Sequence, residues 1–231
     1  VSIFLQVRFY DTFLAPGPPE EPVPDLPTSE RSYYLDEHWR NDEEHRWFRN
    51  LMQEENMARS PNESDLDYGV RALQFVSRTF RYEIPDGNPR WKQITAEKGS
   101  FGDWLYTWET RSGECLRISQ FYADMLREAG IPVRQVSGNW VEGDHGHHLR
   151  DLIWLTGIGW VPVEPTSAVT DSRAHGSLKY FSYWGGAYLA GNESVDFHVP
   201  WRTGTFNCGT FDTLWYLFDD GRFHMTTARV R

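Results

Sequence analysis

The chain has 231 residues, a net charge of −10 and a pI near 5.3, a balance that argues against nucleic acid or an anionic membrane surface as the main partner. Its length suits one good-sized domain, with or without extensions, that can bury a proper core. No apolar run approaches the roughly 20 residues needed to cross a bilayer, and two cysteines without a C-x-x-C are too few for the usual thiolate zinc site.

From the start, Val1 to Phe9 alternates, with Ile3, Leu5, Val7 and Phe9 on one side, and reads as a strand closing an upstream β domain. A chain that begins at Val1 reads as an excised fragment, which leaves its compartment undetermined. Pro16 to Pro27 holds six prolines in twelve residues and reads as an extended linker. Asn41 is placed to cap a helix whose first turn carries Asp42, Glu43 and Glu44, with Trp47, Phe48, Leu51 and Met52 as its apolar side. A second helix is predicted from Ser64 to Phe80, with Leu66, Val70, Leu73, Val76 and Phe80 inward, and Pro85 to Pro89 is a loop.

Cys115 opens the best amphipathic helix, Cys115 to Ala129, whose stripe is Ile118, Phe121, Tyr122, Met125, Leu126 and Ala129. A thiol in a first helical turn meets unpaired N–H groups and the positive dipole end, both of which favour a thiolate. A small buried apolar residue is the plainer reading of such a cysteine. Gly130-Ile131-Pro132 ends the helix. Val133 to Val141 reads as a strand and Leu149 to Leu155 as a second, followed by the turn Thr156-Gly157-Ile158-Gly159 and then Trp160 to Thr166. Thiol, imidazole and carboxylate on successive elements can serve as nucleophile, base and orienting group.

Thr110-Arg111-Ser112-Gly113-Glu114-Cys115, Leu126 to Arg134 and Val136-Ser137-Gly138 resemble the transglutaminase-like superfamily of bacterial cysteine proteases and acyltransferases. His148 lies twelve residues before Trp160 and sixteen before Glu164, matching the family's histidine, Gly-Trp turn and acidic residue followed by Pro-Thr. The resemblance runs from about Tyr68 to Thr166. It implies an α+β fold with a papain/transglutaminase-like core, the nucleophile opening a helix packed on an antiparallel sheet that carries the histidine and the acidic residue. It implies Cys115 as nucleophile, His148 as base and Glu164 as third member. Two positions depart from the pattern: Glu164 stands where aspartate is usual, and Arg117 stands where aspartate often follows the cysteine by two. Arg117 reads as a helix-surface cation that further favours a thiolate.

Strand alternation supplies an internal check on Glu164. An odd loop of three or five residues pairs Arg150 with Glu164 and makes His148 and Glu164 diagonal neighbours, Cα atoms about 7–8 Å apart. An even loop puts them on opposite faces, and Gly157 and Gly159 can supply the positive φ that an odd loop requires.

Asp144, His145, His147 and His148 could suggest a metal, but alternation divides them between two faces, and no metal or cofactor is expected. A register shifted by one would give His147 the base role instead. Cys208 reads as structural, and both cysteines as unpaired. Tyr180 to Gly186 and Thr213 to Phe218 read as short strands packed on the core, or as an aromatic groove, and Asp219 to Arg222 as a hairpin turn. The expected organisation is an N-terminal strand and linker over 1–30, a catalytic core over 31–170 and an aromatic extension over 171–231.

The chemistry implied is acyl transfer at an amide through a thioester, with a protein or peptide substrate and hydrolysis as the leading outcome. The Cys115 N–H serves as one oxyanion donor, and Trp91, Trp104 and Trp108 are unranked candidates for a second. Transamidation, and a silent module binding peptide or glycan, are the alternatives.

Overall fold

The computed structural model describes residues 12–13, 23–35, 42–85, 87–140, 147–171, 179–184, 188–192, 196–201 and 204–209, with backbone alone at 12, 13, 100, 139, 140, 147 and beyond 182. Its helices are α1 (Thr28–Leu35), α2 (Asp42–Glu54), α3 (Asp65–Thr79), α4 (Pro89–Lys98), α5 (Ser100–Thr110), α6 (Cys115–Glu128) and α7 (Pro165–Thr170). The strands are β1 (Thr12–Phe13), β2 (Arg81–Tyr82), β3 (Ser112–Gly113), β4 (Val133–Trp140), β5 (His147–Leu155), β6 (Gly159–Val163), β7 (Tyr183–Trp184), β8 (Tyr188–Asn192), β9 (Asp196–Trp201) and β10 (Gly204–Gly209).

The predicted central helix forms as α6, and its stripe residues Ile118, Phe121, Tyr122, Met125 and Leu126 are all buried. Ser119, Ala123 and Asp124 on the other sides are buried too, so α6 is enclosed on more than one face. Helix α6 ends in a Schellman arrangement: Ile131 N–H donates to Leu126 O and Gly130 N–H to Arg127 O, with Gly130 at φ +80°. That turn feeds β4 directly into a four-stranded sheet ordered β6-β5-β4-β8, antiparallel throughout. Val133, Ile153, Leu155, Val161 and Val163 join the α6 stripe in one core.

An aromatic cluster extends the same core from the Phe121 edge of the α6 stripe. Phe121 meets Phe48 of α2 at 5.3 Å between ring centroids, Phe80 at 4.8 Å and Trp108 of α5 at 5.8 Å, the last pair stacked. In α3 the buried face differs in part from the expectation. Leu73, Val76 and Phe80 are buried as expected and half-buried Val70 packs against the core, but Leu66 is 38% exposed, and Tyr68, Gly69 and Ala72 complete the inward face instead. The helix begins at Asp65 with Ser64 as its cap, and Tyr68 extends its hydroxyl to the carbonyls of Met57 and Met125. A tyrosine with two buried acceptors fixes the helix phase, and Leu66 falls outside it.

Helices α4 and α5 lie where the sequence reading places no helix. Asn88 caps α4 and Pro89 opens it. The two helices meet so closely that a Cβ on Gly102 would lie 2.5 Å from the Ile94 carbonyl oxygen. Strand β2 runs parallel to β3, with Tyr82 opposite Gly113, two residues before Cys115. Phe181 is buried and bridges to Val163, so the first aromatic segment packs on the core. Strands β9 and β10 pair as a hairpin. The expected strand at Val1 to Phe9, the Asn41 cap, Asp144, His145, Thr213 to Phe218 and the turn at Asp219 to Arg222 lie outside the described residues.

Candidate active site

Cys115 is the first residue of α6, a free thiol that is 8% exposed. Its predecessor Glu114 occupies the N-cap without making a side-chain cap bond; its carboxylate pairs with Arg117 instead. Arg117 Nη2 is also 2.8 Å from Asp103 Oδ1 of α5. The expectation of a surface cation beside the thiol is therefore corrected. The Arg117 side chain is 11% exposed, and two carboxylates balance its charge. Its work is to tie α5 to the start of α6.

His148 lies in β5 opposite Gly138 of β4 and is 7% exposed. Its Nε2 is 2.9 Å from Glu164 Oε1. Cys115 lies close enough to the ring to raise its affinity for a proton. Burial alone would lower the affinity of this imidazole for a proton. The Glu164 charge, hydrogen bonds with Cys115 and Glu164, and the Cys115 charge outweigh burial and lift His148 from 6.5 to about 9. That shift favours the imidazolium at neutral pH, whose Nε2–H is directed at Glu164 Oε1. The three residues singled out in the sequence thus meet in one buried row: sulfur, imidazole, carboxylate.

The hairpin loop explains how Glu164 reaches that row. Leu155 pairs with Gly159 and Asp151 with Val163, leaving the three-residue loop Thr156–Ile158. The loop is odd, as the parity argument requires, with Gly157 at φ +77° and Gly159 at φ +103°. Extending the register sets Arg150 against Glu164 and makes His148 the diagonal neighbour. Glu164 itself ends β6 and occupies the N-cap of α7, and its N–H donates to Tyr180 O. Backbone alternation stops at this junction, so φ and ψ there can adjust for the longer side chain. His147 precedes His148 and opens β5.

Three features of the surroundings were not signalled in advance. Arg150 Nε is 2.6 Å from Glu164 Oε2, both side chains being 3% exposed. Its signal was an arginine sharing an inward strand position with His148. Asp151, on the alternate face, is fully buried and accepts from Gln135 Nε2 at 3.1 Å. Burial chiefly pushes the Asp151 carboxyl well above its usual range, which favours the protonated form. Tyr82 is 44% exposed beside the start of α6, and burial, then Cys115 and Glu114, raise its phenol.

Among the tryptophans considered as oxyanion donors, Trp91 gives its N–H to Asp103 Oδ1. Trp104 and Trp108 pack against Phe48, Phe80 and Phe121. The first-turn N–H groups of α6 are the donors positioned at Cys115. A surface cavity lined by Met52, Arg59, Tyr68 and Glu128 shares no residue with this row. No group of metal-ligating side chains occurs among the described residues, and no described helix is long and apolar enough to span a membrane.

Residues 55–165 match the family model of the transglutaminase-like superfamily core. No curated protein matches the chain. Solved structures similar to it include the periplasmic domain of TgpA from Pseudomonas aeruginosa, solved with ethylmercury bound, at 22% identity and a TM-score of 0.45 over 65% of this chain and 53% of that one. A Cytophaga hutchinsonii protein provisionally described as a cysteine protease matches at 15% identity and a TM-score of 0.44, over 74% and 57% of the two chains. A TGase matches at 19% identity and a TM-score of 0.42, over 66% and 40%. The chain spans about half the length of these solved structures. The segment that matches the transglutaminase-like superfamily model, residues 55–165, carries helices α3 to α6 and the antiparallel strands β4, β5 and β6.

Proposed function

We propose that the domain is a cysteine-dependent acyltransferase acting on amide bonds of a protein or peptide, with water as the acceptor. The observation that carries this reading is the buried row in which His148 stands between Cys115 and Glu164, with Nε2 2.9 Å from Oε1. Cys115 sulfur attacks the amide carbonyl carbon, forming the C–S bond while the carbonyl oxygen takes the negative charge. First-turn N–H groups of α6 stabilise that oxyanion. The intermediate collapses as the C–N bond breaks, and the His148 proton goes to the departing amine. Neutral His148 then takes a proton from water as the water oxygen attacks the thioester carbonyl carbon. The adduct collapses as the C–S bond breaks, releasing the acid and restoring the Cys115 thiolate beside protonated His148. Glu164 keeps the imidazole oriented and stabilises its charge through both steps.

The test is the acyl-enzyme itself. With p-nitrophenyl acetate as acyl donor, a burst of nitrophenol and an acetyl adduct mapped to Cys115 support the reading, and Cys115→Ser and His148→Ala should abolish both. Faster release of the acyl group on adding a primary amine would move the assignment to transamidation. A folded protein that never acylates would leave a binding module.

A further inference from the structure

We infer that Arg150 is a positioning residue for the His148–Glu164 pair, holding the longer glutamate side chain in the one orientation that serves the imidazole. The inference rests on the proposed roles of Cys115, His148 and Glu164. Arg150 follows His148 by two residues in β5, so both fall on the same side of the strand. The hairpin register ends at the pair Asp151–Val163, one step before Arg150 and Glu164, and the ion pair spans that next step. The two carboxylate oxygens are thereby divided between two cations, Oε1 at 2.9 Å from His148 and Oε2 at 2.6 Å from Arg150. A glutamate has one more rotatable bond than an aspartate, and fixing it costs side-chain entropy. The Arg150 contact is an ion pair without hydrogen-bond geometry, so it holds the carboxylate by charge, and Glu164 turns away from His148 only by losing that attraction as well as the imidazole.

The surroundings favour this role over simple packing. Arg150 sits between buried Leu149 and buried Asp151 in a strand that continues with Ile153 and Leu155, where an apolar side chain would bury at less cost. The neighbouring carboxyl, Asp151, points to the other face and accepts from Gln135. Asp124 is paired with Arg127 at 3.3 Å. Among the described residues Arg150 is joined in an ion pair to Glu164, at 2.6 Å.

The experiment compares Cys115 alkylation by iodoacetamide at pH 7 in the wild type, Arg150→Met, Arg150→Lys, Glu164→Gln, the Arg150→Met/Glu164→Gln double variant and His148→Ala, with folding checked by circular dichroism. Arg150→Met should slow alkylation about tenfold, a size usual for coupled residues in one ion-pair network. Arg150→Lys should recover part of that loss. The double variant should be no slower than Glu164→Gln by more than about twofold, because the two residues act as one unit. Losses that multiply, or an Arg150→Met protein at the wild-type rate, would overturn the inference. Should Arg150→Met fail to fold, Arg150→Gln takes its place in the same comparison. A His148→Ala protein at full rate would instead overturn the proposed function, so the two failures are distinguishable.

Discussion

Replacing Glu164 by glutamine should release the imidazolium that its charge sustains. Gln preserves shape and hydrogen-bonding reach but removes the negative charge 2.9 Å from His148 Nε2. Taking the charge centres as about 4 Å apart at an effective dielectric of about 20, the attraction is worth about 4 kcal/mol, or roughly 3 pKa units. Burial, which opposes protonation, then acts with only Cys115 against it. Arg150, left without the Glu164 charge, pushes in the same direction. His148 should fall from about 9 to a value of about 6. The assay is imidazole nitrogen NMR across pH 5 to 10, with His148→Ala used to assign the resonance. A wild-type midpoint near 9 moving below 6.5 in Glu164→Gln meets the expectation. A variant that still titrates near 9 would refute the claim that Glu164 sustains the cation.

Phe121→Ala should cost about 3–5 kcal/mol in urea denaturation, because Phe121 is 2% exposed and touches Phe48, Phe80 and Trp108 at once. Gly102→Ala should cost about 1–3 kcal/mol by thermal melting, since the added Cβ would collide with backbone at Ile94 rather than with a side chain that can turn aside. Arg117→Leu leaves Glu114 and Asp103 without their shared cation. It should lower stability by about 2 kcal/mol, less at high salt because Asp103 is partly exposed, as read by denaturation at two ionic strengths.

What the sequence made legible follows a physical division. Features fixed by local chain geometry could be read in advance. The α6 stripe has one period throughout, Gly130 supplies the left-handed residue that ends it, and Gly157 and Gly159 permit the odd loop. Given the three residues that the family resemblance implies, the odd loop suffices to bring His148 and Glu164 near one another. Features that depend on tertiary partners could not be read. The inward phase of α3 is set by where Tyr68 finds acceptors, not by Leu66. Helix α4 has no buried residue and therefore no stripe to detect, although its Asn88-Pro89 start is a regular helix signal. Arg117 looked exposed because nothing local shows that Asp103, fourteen residues earlier, closes over it. Arg150 appeared only as a register partner of Glu164. That its guanidinium would grip the carboxylate depends on the turn of backbone where β6 gives way to α7.

The central claim is that protonated His148 activates Cys115, and the most direct test is the ratio of iodoacetamide alkylation rates between wild type and His148→Ala from pH 5 to 10. His148 carries its proton below about 9 and loses it above. The account therefore predicts a ratio well above one at pH 6 to 8 that collapses towards one as the pH passes about 9. A ratio near one across the whole range would contradict it.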